Sequence, residues 1–387
     1  MNILLNAESL KPPLTGIGNY TLNLLRAFNR SERIEKFDCF DGRAFRKATE
    51  MLHDFEQLPP SSAAPQAASR IRTTLRSLPL AYKARSVLVN ARFGKGAKTR
   101  KDFIYHEPNF ILKPHSGPSV ATIHDLSFLR HPEFHPRERV EWLSRELPRT
   151  LQRADLVITD SEVVREELLS GFPIAPERVR AIYLGASEDF HPRSEHATGS
   201  WLERHGLRHG QYVAFVATLE PRKGIGLLLD AWERLPQSLR SRYPLVIAGA
   251  PGWKNQEILD RIMRLETSGN LKYLRYVPAK DLPLLYAGAI AFVYPSVYEG
   301  FGLPVLEAMK SGVPVVCTRA TAMAEFSAGN CLLFDAGDKE GLAGQLQHLL
   351  EDESVRLDTI IRGLEHARNF SWERCATETL NAYAMIA

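Results

Sequence analysis

The sequence predicts an α/β protein built from two doubly wound parallel-sheet domains, and three observations carry that prediction. Apolar runs of strand length alternate with segments of helical period in both halves of the chain. Glycine-containing turns join strands to the helices that follow, as in folds that bind ligands at the carboxyl ends of parallel strands. A polar, proline-containing stretch without apolar period, Ala186 to Ser200, divides the alternation into two series. With 387 residues the chain suits roughly two to three domains, each able to bury a core.

Composition narrows the class. Hydrophobic residues at 44% and charged residues at 24% are those of a soluble globular protein. Cys39, Cys317, Cys331 and Cys375 show no metal spacing and read as buried thiols of a reducing compartment. Met1 to Ala7 is too short for a secretory h-region and is followed by Glu8. No run approaches the ~18 apolar residues of a spanning helix. A cytoplasmic protein is expected.

In the first half, Asn2 to Asn6 reads as the first buried strand. The turn Thr15 to Asn19 contains Gly16 and Gly18, and a helix follows to about Arg30 with Tyr20, Leu24, Leu25 and Phe28 on its apolar face. Phe37 to Phe40 is a candidate second strand. Further parallel strands are expected at Asp102 to His106, Val120 to Ile123, Leu156 to Thr159 and Val179 to Leu184. His124 and Asp125 end the Val120 to Ile123 run as a polar pair, at the carboxyl edge of the sheet. Ser127 to Pro136 reads as an irregular loop, and Asp160-Ser161 caps a helix from Glu162 to Ser170.

One segment of that half stands apart. Gln57 to Lys101 holds no Asp or Glu, yet it carries ten Lys and Arg residues interleaved with aliphatic and aromatic ones. A solvated face is one reading. An anionic membrane surface is the other, since cations near such a surface each gain about 1 kcal/mol and apolar neighbours can insert. No nucleic-acid recognition motif accompanies the segment, so nucleic acid is not expected as a partner.

The second half restarts the alternation. Tyr212 to Thr218 is a strand, and Leu219 to Gly224, with Arg222 and Lys223, leads into a helix ending near Leu235. Leu245 to Ala248 and Tyr273 to Val277 are further strands, with helices from about Asn255 and over Asp281 to Ala289. The run Ala289 to Tyr294 then arrives as a buried strand before the stretch on which the whole reading turns. Glu299-Gly300-Phe301-Gly302-Leu303-Pro304 opens a helix carrying Glu307, with Pro304 in the first turn, where its missing N–H costs nothing. The two glycines allow a ligand close to the backbone, and the helix start is an anion site. Gly312 ends that helix, and Val313 to Cys317 is the next strand. Leu332 to Phe334, helices over Lys339 to Leu350 and Val355 to Asn369, and a last helix from Ser371-Trp372 complete the chain.

Glu299 and Glu307, spaced E-x7-E around G-F-G-L-P, resemble the signature of the retaining glycosyltransferases of family four, which have the GT-B fold of two Rossmann-like domains facing across a cleft. The segment H-D-L-S-F-L-R from His124, with E-P-R-K around Arg222 and A-G-A-P-G-W, resembles bacterial mannosyl- and rhamnosyltransferases of O-antigen or exopolysaccharide synthesis. The resemblance implies an acceptor-binding domain over residues 1–188, a nucleotide-sugar domain over 200–368, and a helix over 369–387 that packs back on the first domain. It implies that Lys223 grips the diphosphate. The family's Arg five residues earlier is replaced by Thr218, with Arg222 able to compensate.

Further roles follow from the same resemblance. Glu307 would accept hydrogen bonds from ribose hydroxyls, Glu299 would contact the transferred sugar beside the Gly300 and Phe301 amides, and His124 would hydrogen-bond that sugar. Gly16, Gly18, Asp125 and Val277 would line the donor site, with Gly302 and Leu303 at the helix start. No metal or other cofactor is expected, because the cations and the Gly300–Leu303 amides supply positive potential. The implied substrates are a nucleoside-diphosphate sugar, GDP-mannose favoured, and a lipid-linked saccharide, with the protein held at the inner face of the cell membrane. Two rivals share the fold: a nucleotide-sugar epimerase and a non-catalytic sugar-nucleotide sensor. An NAD enzyme is disfavoured because Gly16-Ile17-Gly18 lacks the third glycine.

Overall fold

The computed structural model describes the chain except residues 13, 58–78, 253, 254 and 320, with the backbone alone for 79–86. Much of the acid-free segment, including Arg70, Arg72 and Arg76, therefore lies outside the described residues. The chain forms two compact units. The first comprises residues 1–160, 164–183 and 372–387, and the second comprises 161–163 and 184–371.

Seven strands make the sheet of the first unit: β1 (Asn2–Asn6), β2 (Lys36–Phe40), β3 (Phe45–Lys47), β4 (Ile104–Glu107), β5 (Ser119–Ile123), β6 (Leu156–Thr159) and β7 (Val179–Ala181). Their order is β3-β2-β1-β4-β5-β6-β7. All pairs are parallel except β2–β3. That antiparallel edge was not expected. Asp41-Gly42 makes a tight return, with Gly42 at φ 89° and the Asp41 amide donating to the Ala44 carbonyl, a short-range hairpin signal carried by the Asp-Gly pair itself.

Helices cover this sheet. Gly16 to Asn29 is already helical, so Gly16 and Gly18 lie in its first turn and not in a loop before it. Thr15 caps it by accepting from the Gly18 amide. Tyr20, Leu24, Leu25 and Phe28 form its buried face, and the helix Trp372–Tyr383 packs against it within the same unit. Tyr383 Oη lies 2.6 Å from His106 Nδ1, whose Nε2 lies 2.7 Å from Thr122 Oγ1. Burial pushes His106 down to about 3, so the ring is neutral, with one nitrogen donating and the other accepting. The expected loop Ser127 to Pro136 contains a short helix, Ser127–Arg130, and a 3-10 turn, Pro132–Phe134.

Six parallel strands form the second sheet: β8 (Val213–Val216), β9 (Leu245–Ala248), β10 (Leu271–Arg275), β11 (Ala291–Tyr294), β12 (Val315–Thr318) and β13 (Leu332–Phe334), in the order β10-β9-β8-β11-β12-β13. Each sheet reverses its strand order once, between β1 and β4 in the first and between β8 and β11 in the second. Those are the positions at which two successive loops diverge and leave a crevice above the carboxyl ends. Part of the expected linker is helical. Ser194 caps the helix Glu195–Arg204, which buries Thr198, Trp201 and Leu202. Its apolar face is too short for sequence periodicity to register.

Among the described residues no helix is long and apolar enough to cross a membrane. All four cysteines are buried and free.

Candidate active site

The second unit builds its site at the β8/β11 reversal. Beyond β8 the chain runs through Thr218 to a 3-10 turn, Pro221–Lys223, and then through Gly224 into the helix Ile225–Arg234. Gly224 has φ 70°, and a Cβ there would lie 2.0 Å from the Pro295 carbonyl oxygen. Only glycine lets the β8 loop approach the β11 loop so closely. The Val297 amide then donates to the Arg222 carbonyl at 2.9 Å and ties the loops together.

This joining sets Arg222 and Lys223 against Glu299. Lys223 Nζ is 2.6 Å from Glu299 Oε1 and 3.1 Å from the Tyr294 hydroxyl. Ser296 Oγ donates to the same carboxylate oxygen at 2.6 Å. Arg222 lies 3.3 Å from Glu299 Oε2 and 3.2 Å from Glu220, and it donates to the Tyr298 carbonyl at 2.5 Å. Burial would raise the Glu299 pKa, but Lys223, Arg222 and the Ser296 bond outweigh it and hold the carboxyl at about 2. Burial, aided by Arg222 and opposed by Glu299, keeps the Lys223 ammonium below its ordinary value. Glu220 is pushed up by burial against the pull of both cations. The expected pair of cations is thus a cluster of two cations and two carboxylates. Lys223 has three N–H donors, and two hold Glu299 and Tyr294, which leaves one for a ligand.

The helix Leu303–Lys310 starts beside this cluster. Its N-cap is Gly302 at φ 109°, Pro304 lies in the first turn, and no side chain caps it. Pro304 has no N–H and the Val305 amide donates to the Gly302 carbonyl at 2.9 Å, so within the first turn the Leu303 amide is the donor left for an anion. The reason for Gly302 differs from the expected one. A Cβ there would meet Met323 at 2.6 Å, so positive φ and internal packing require the glycine, as well as any ligand approach. Phe301 is buried and stacks on Phe326 with centroids 4.5 Å apart. Glu307, one turn into the helix, is the electrostatic opposite of Glu299. No cation pairs with it among the described residues, and burial pushes it up to about 7, with only the Tyr286 hydroxyl pulling the other way. Thr218 is exposed at the end of β8, and Val277 is buried beyond β10.

Gly16, Gly18, His124 and Asp125 belong to the first unit. Gly16 is exposed, whereas Gly18 is buried and a Cβ there would meet the Ser9 carbonyl oxygen at 2.9 Å. His124 Nδ1 is 2.8 Å from Asp160, and Nε2 is 2.8 Å from the Pro108 carbonyl. Burial disfavours the imidazolium, but Asp160 and the Pro108 carbonyl outweigh it and raise the ring's pKa. Both ring nitrogens are thus engaged within the unit. Asp125 accepts from the Ser127 amide and hydroxyl.

Ser296, Tyr294 and Glu220 were not singled out from the sequence. Ser296 stands three residues before Glu299, and only the folded loop turns its hydroxyl onto that carboxylate.

Both halves of the chain are similar to known proteins. Residues 201–366 match the family described as glycosyl transferases group 1, and residues 14–190 match glycosyltransferase family 4. O-antigen chain mannosyltransferase B of Escherichia coli is 38% identical over 386 residues, 100% of both chains. Serotype-specific mannosyltransferase WbdA of Escherichia coli is 30% identical over 243 residues, which is 61% of this chain and 29% of that protein. Among solved structures, Anabaena HepE in complex with UDP and glucose is similar with a TM-score of 0.72 at 19% identity, covering 100% of both chains. Sucrose-phosphate synthase from Thermosynechococcus elongatus is similar with a TM-score of 0.74 at 18% identity, covering 100% of this chain and 98% of that one. At such identities these two structures bear on the fold alone.

Proposed function

The chain belongs to glycosyltransferase family four, with the GT-B fold, and from that premise we propose that it moves mannose from GDP-mannose to a lipid-linked saccharide in O-antigen-type synthesis. The observation that carries the reading is the Arg222–Lys223–Glu299 cluster beside the uncapped start of Leu303–Lys310. The names of the relatives favour mannose. A transferase reading also leaves the epimerase and the sensor disfavoured.

In this mechanism the diphosphate lies on Lys223, Arg222 and the Gly300–Leu303 amides. These stabilise charge that develops on the leaving group without reorganising, so transfer needs no divalent metal. Glu307 accepts the ribose hydroxyls. Glu299, held ionised, orients the sugar with the Gly300 and Phe301 amides. The acceptor oxygen bonds to the anomeric carbon on the face the diphosphate leaves, the C–O bond to phosphate breaks with its electron pair, and the acceptor proton passes to that phosphate oxygen. The configuration is retained without a covalent glycosyl-enzyme, unlike the two-carboxylate hydrolases. His124 acts on the sugar by exchanging its Pro108 bond for a sugar hydroxyl, with Asp160 holding the other nitrogen.

The test incubates the protein with GDP-mannose and a lipid-linked mannoside, with and without EDTA, and reads the new linkage by NMR. An α-linked product formed equally in EDTA is expected. Inverted product, or activity abolished by chelation and restored by a divalent ion, would refute the mechanism.

The same reading holds the protein at an anionic membrane surface through residues 57–101. Among its described apolar residues, Val87 and Leu88 are 69% and 50% exposed, whereas Phe93 is buried in the core of the first unit and is not free to insert. Sedimentation with phosphatidylglycerol vesicles at low salt should carry the wild type down and leave behind a variant with Arg70, Arg72, Arg76, Lys83 and Arg85 changed to Gln. Equal behaviour of the two would make the segment an ordinary solvated face.

A further inference from the structure

The register of the first sheet sets Ile123 of β5 beside Thr159 of β6, so the next residues, His124 and Asp160, leave the carboxyl edge as neighbours. Both side chains are buried. The ring's Nδ1 lies 2.8 Å from Asp160 Oδ2, and its Nε2 lies 2.8 Å from the Pro108 carbonyl. The second contact runs in one direction only. A carbonyl has no proton to give, so Nε2 carries a hydrogen and donates it.

Nδ1 has two arrangements open to it. A ring with its single hydrogen on Nε2 needs a protonated Asp160 to donate to Nδ1. A doubly protonated ring donates to an ionised Asp160 instead. Both arrangements hold the same protons, one more than a neutral histidine beside a carboxylate. Acid strength decides where that proton sits. A carboxyl ordinarily loses its proton near about 4 and an imidazolium near about 6.5, so the ring keeps it unless the surroundings reverse the order.

The surroundings favour a charged ring. Asp125 is a second carboxylate acting on it, and together with Asp160 it outweighs burial. Tyr20 stands edge-on to the ring with centroids 5.0 Å apart, and burial holds its hydroxyl protonated. Cys375, which acts on Asp160 from the helix Trp372–Tyr383, is likewise kept as a thiol by burial. His106 is neutral, first through burial and then through repulsion from His124. Burial pushes Asp160 up, and His124 is what opposes it. Among the described residues Asp160 pairs with no Lys or Arg, and its Oδ1 has no hydrogen-bond partner. The ring alone among them balances this carboxylate, and a buried carboxylate without a counter-charge is costly.

We propose that His124 is an imidazolium in the resting protein and that Asp160 is the positioning residue that keeps it one. The proposal rests on the transferase reading above for the step it serves. In that step His124 is a fixed cation and hydrogen-bond donor, never a base. The oxygen that takes the place of the Pro108 carbonyl offers Nε2–H a lone pair, and the acceptor's proton leaves by the phosphate.

The full-length protein, with 15N in its histidine rings and no substrate, is titrated by NMR, and His124→Gln identifies the resonances that belong to His124. At pH 7.5, about one unit above the ordinary imidazole midpoint, both nitrogens should be protonated. Asp160→Asn keeps the shape, and its amide can donate to Nδ1 while the hydrogen stays on Nε2. It removes the charge, so the His124 midpoint should fall by about 1–3 pH units. Turnover at saturating donor should fall about tenfold, the difference between a charge-assisted and a neutral hydrogen bond. Donor KM should stay unchanged, and the alkaline fall of the turnover profile should move down with the NMR midpoint. A residue that only braced the fold would lower the melting temperature and move neither. If Asp160→Asn does not fold, the wild-type titration decides alone. An unprotonated His124 nitrogen in wild type at pH 7.5, or an unmoved midpoint in folded Asp160→Asn, overturns the proposal. The two readings fail separately. An imidazolium in a protein that transfers no mannose sinks the transferase reading, and transfer by a protein whose His124 is neutral sinks the pair.

Discussion

Glu307 makes the donor affinity of this enzyme depend on pH in a way that can be worked out from the site. With no cation beside it among the described residues, burial lifts its carboxyl to about 7. Its proposed work is to accept two ribose hydroxyl protons, which only the ionised form does with both oxygens. If the donor binds the ionised form alone, the apparent Kd is multiplied by one plus the ratio of protonated to ionised carboxyl. With a pKa of about 7 that factor is about 11 at pH 6 and about 1.1 at pH 8, a tenfold loss of affinity over two units.

Glu299, at about 2, stays ionised throughout, and a contribution from Glu220, which burial also pushes up, would persist in a Glu307→Gln variant. The assay is titration calorimetry with the intact sugar nucleotide, whose diphosphate diester has no terminal phosphate to titrate near pH 6. Glu307→Gln should bind more weakly at pH 8 and show no slope. A wild-type Kd that is flat from pH 6 to 8, or a slope that survives in Glu307→Gln, would refute the reasoning. Linkage fixes the sign for the unliganded protein. The folded pKa lies above the ordinary 4.5, so this group's stabilisation is complete below 4.5 and is lost as pH rises through 7. The melting temperature of Glu307→Gln relative to wild type should therefore rise across that interval.

Three further perturbations bear on the same machinery. Glu299→Gln should lower turnover on the order of a hundredfold without weakening nucleoside-diphosphate binding, because Lys223 and Arg222 lose a counter-charge; wild-type turnover would remove Glu299 from the sugar. Gly224→Ala forces a Cβ to 2.0 Å from the Pro295 carbonyl at φ 70°, so it should cost at least about 1–3 kcal/mol in thermal or urea melts and abolish donor binding, whereas an unchanged midpoint would contradict the close approach of the two loops. His124→Ala should lower turnover by a similar order to Glu299→Gln with donor Kd retained, and full turnover in a folded variant would leave the residue a structural brace between Asp160 and Pro108.

Local pattern alone carried most of the architecture. Strand runs such as Leu245 to Ala248 are uniformly apolar because parallel strands are covered on both faces. Proline and glycine punctuation marked where the helix Leu303–Lys310 begins and ends. The E-x7-E spacing made Glu299 and Glu307 visible as a pair. Tertiary structure decided that they are chemically unlike. One is clamped by two cations that arrive from a loop 76 residues earlier in sequence, while the other has burial and, among the described residues, no counter-charge. A pKa depends on what lies within a few ångströms, and the spacing of two residues along the chain does not record that. For the same reason Arg222 and Lys223 read as free cations in the sequence, and only the contact of the β8 and β11 loops pairs them with carboxylates. The side-chain group of Asn6, Glu107 and Lys113 in the first unit was illegible altogether. Its members come from the ends of two strands about a hundred residues apart and a loop beyond the second, and the register of β1 on β4 is what brings them together.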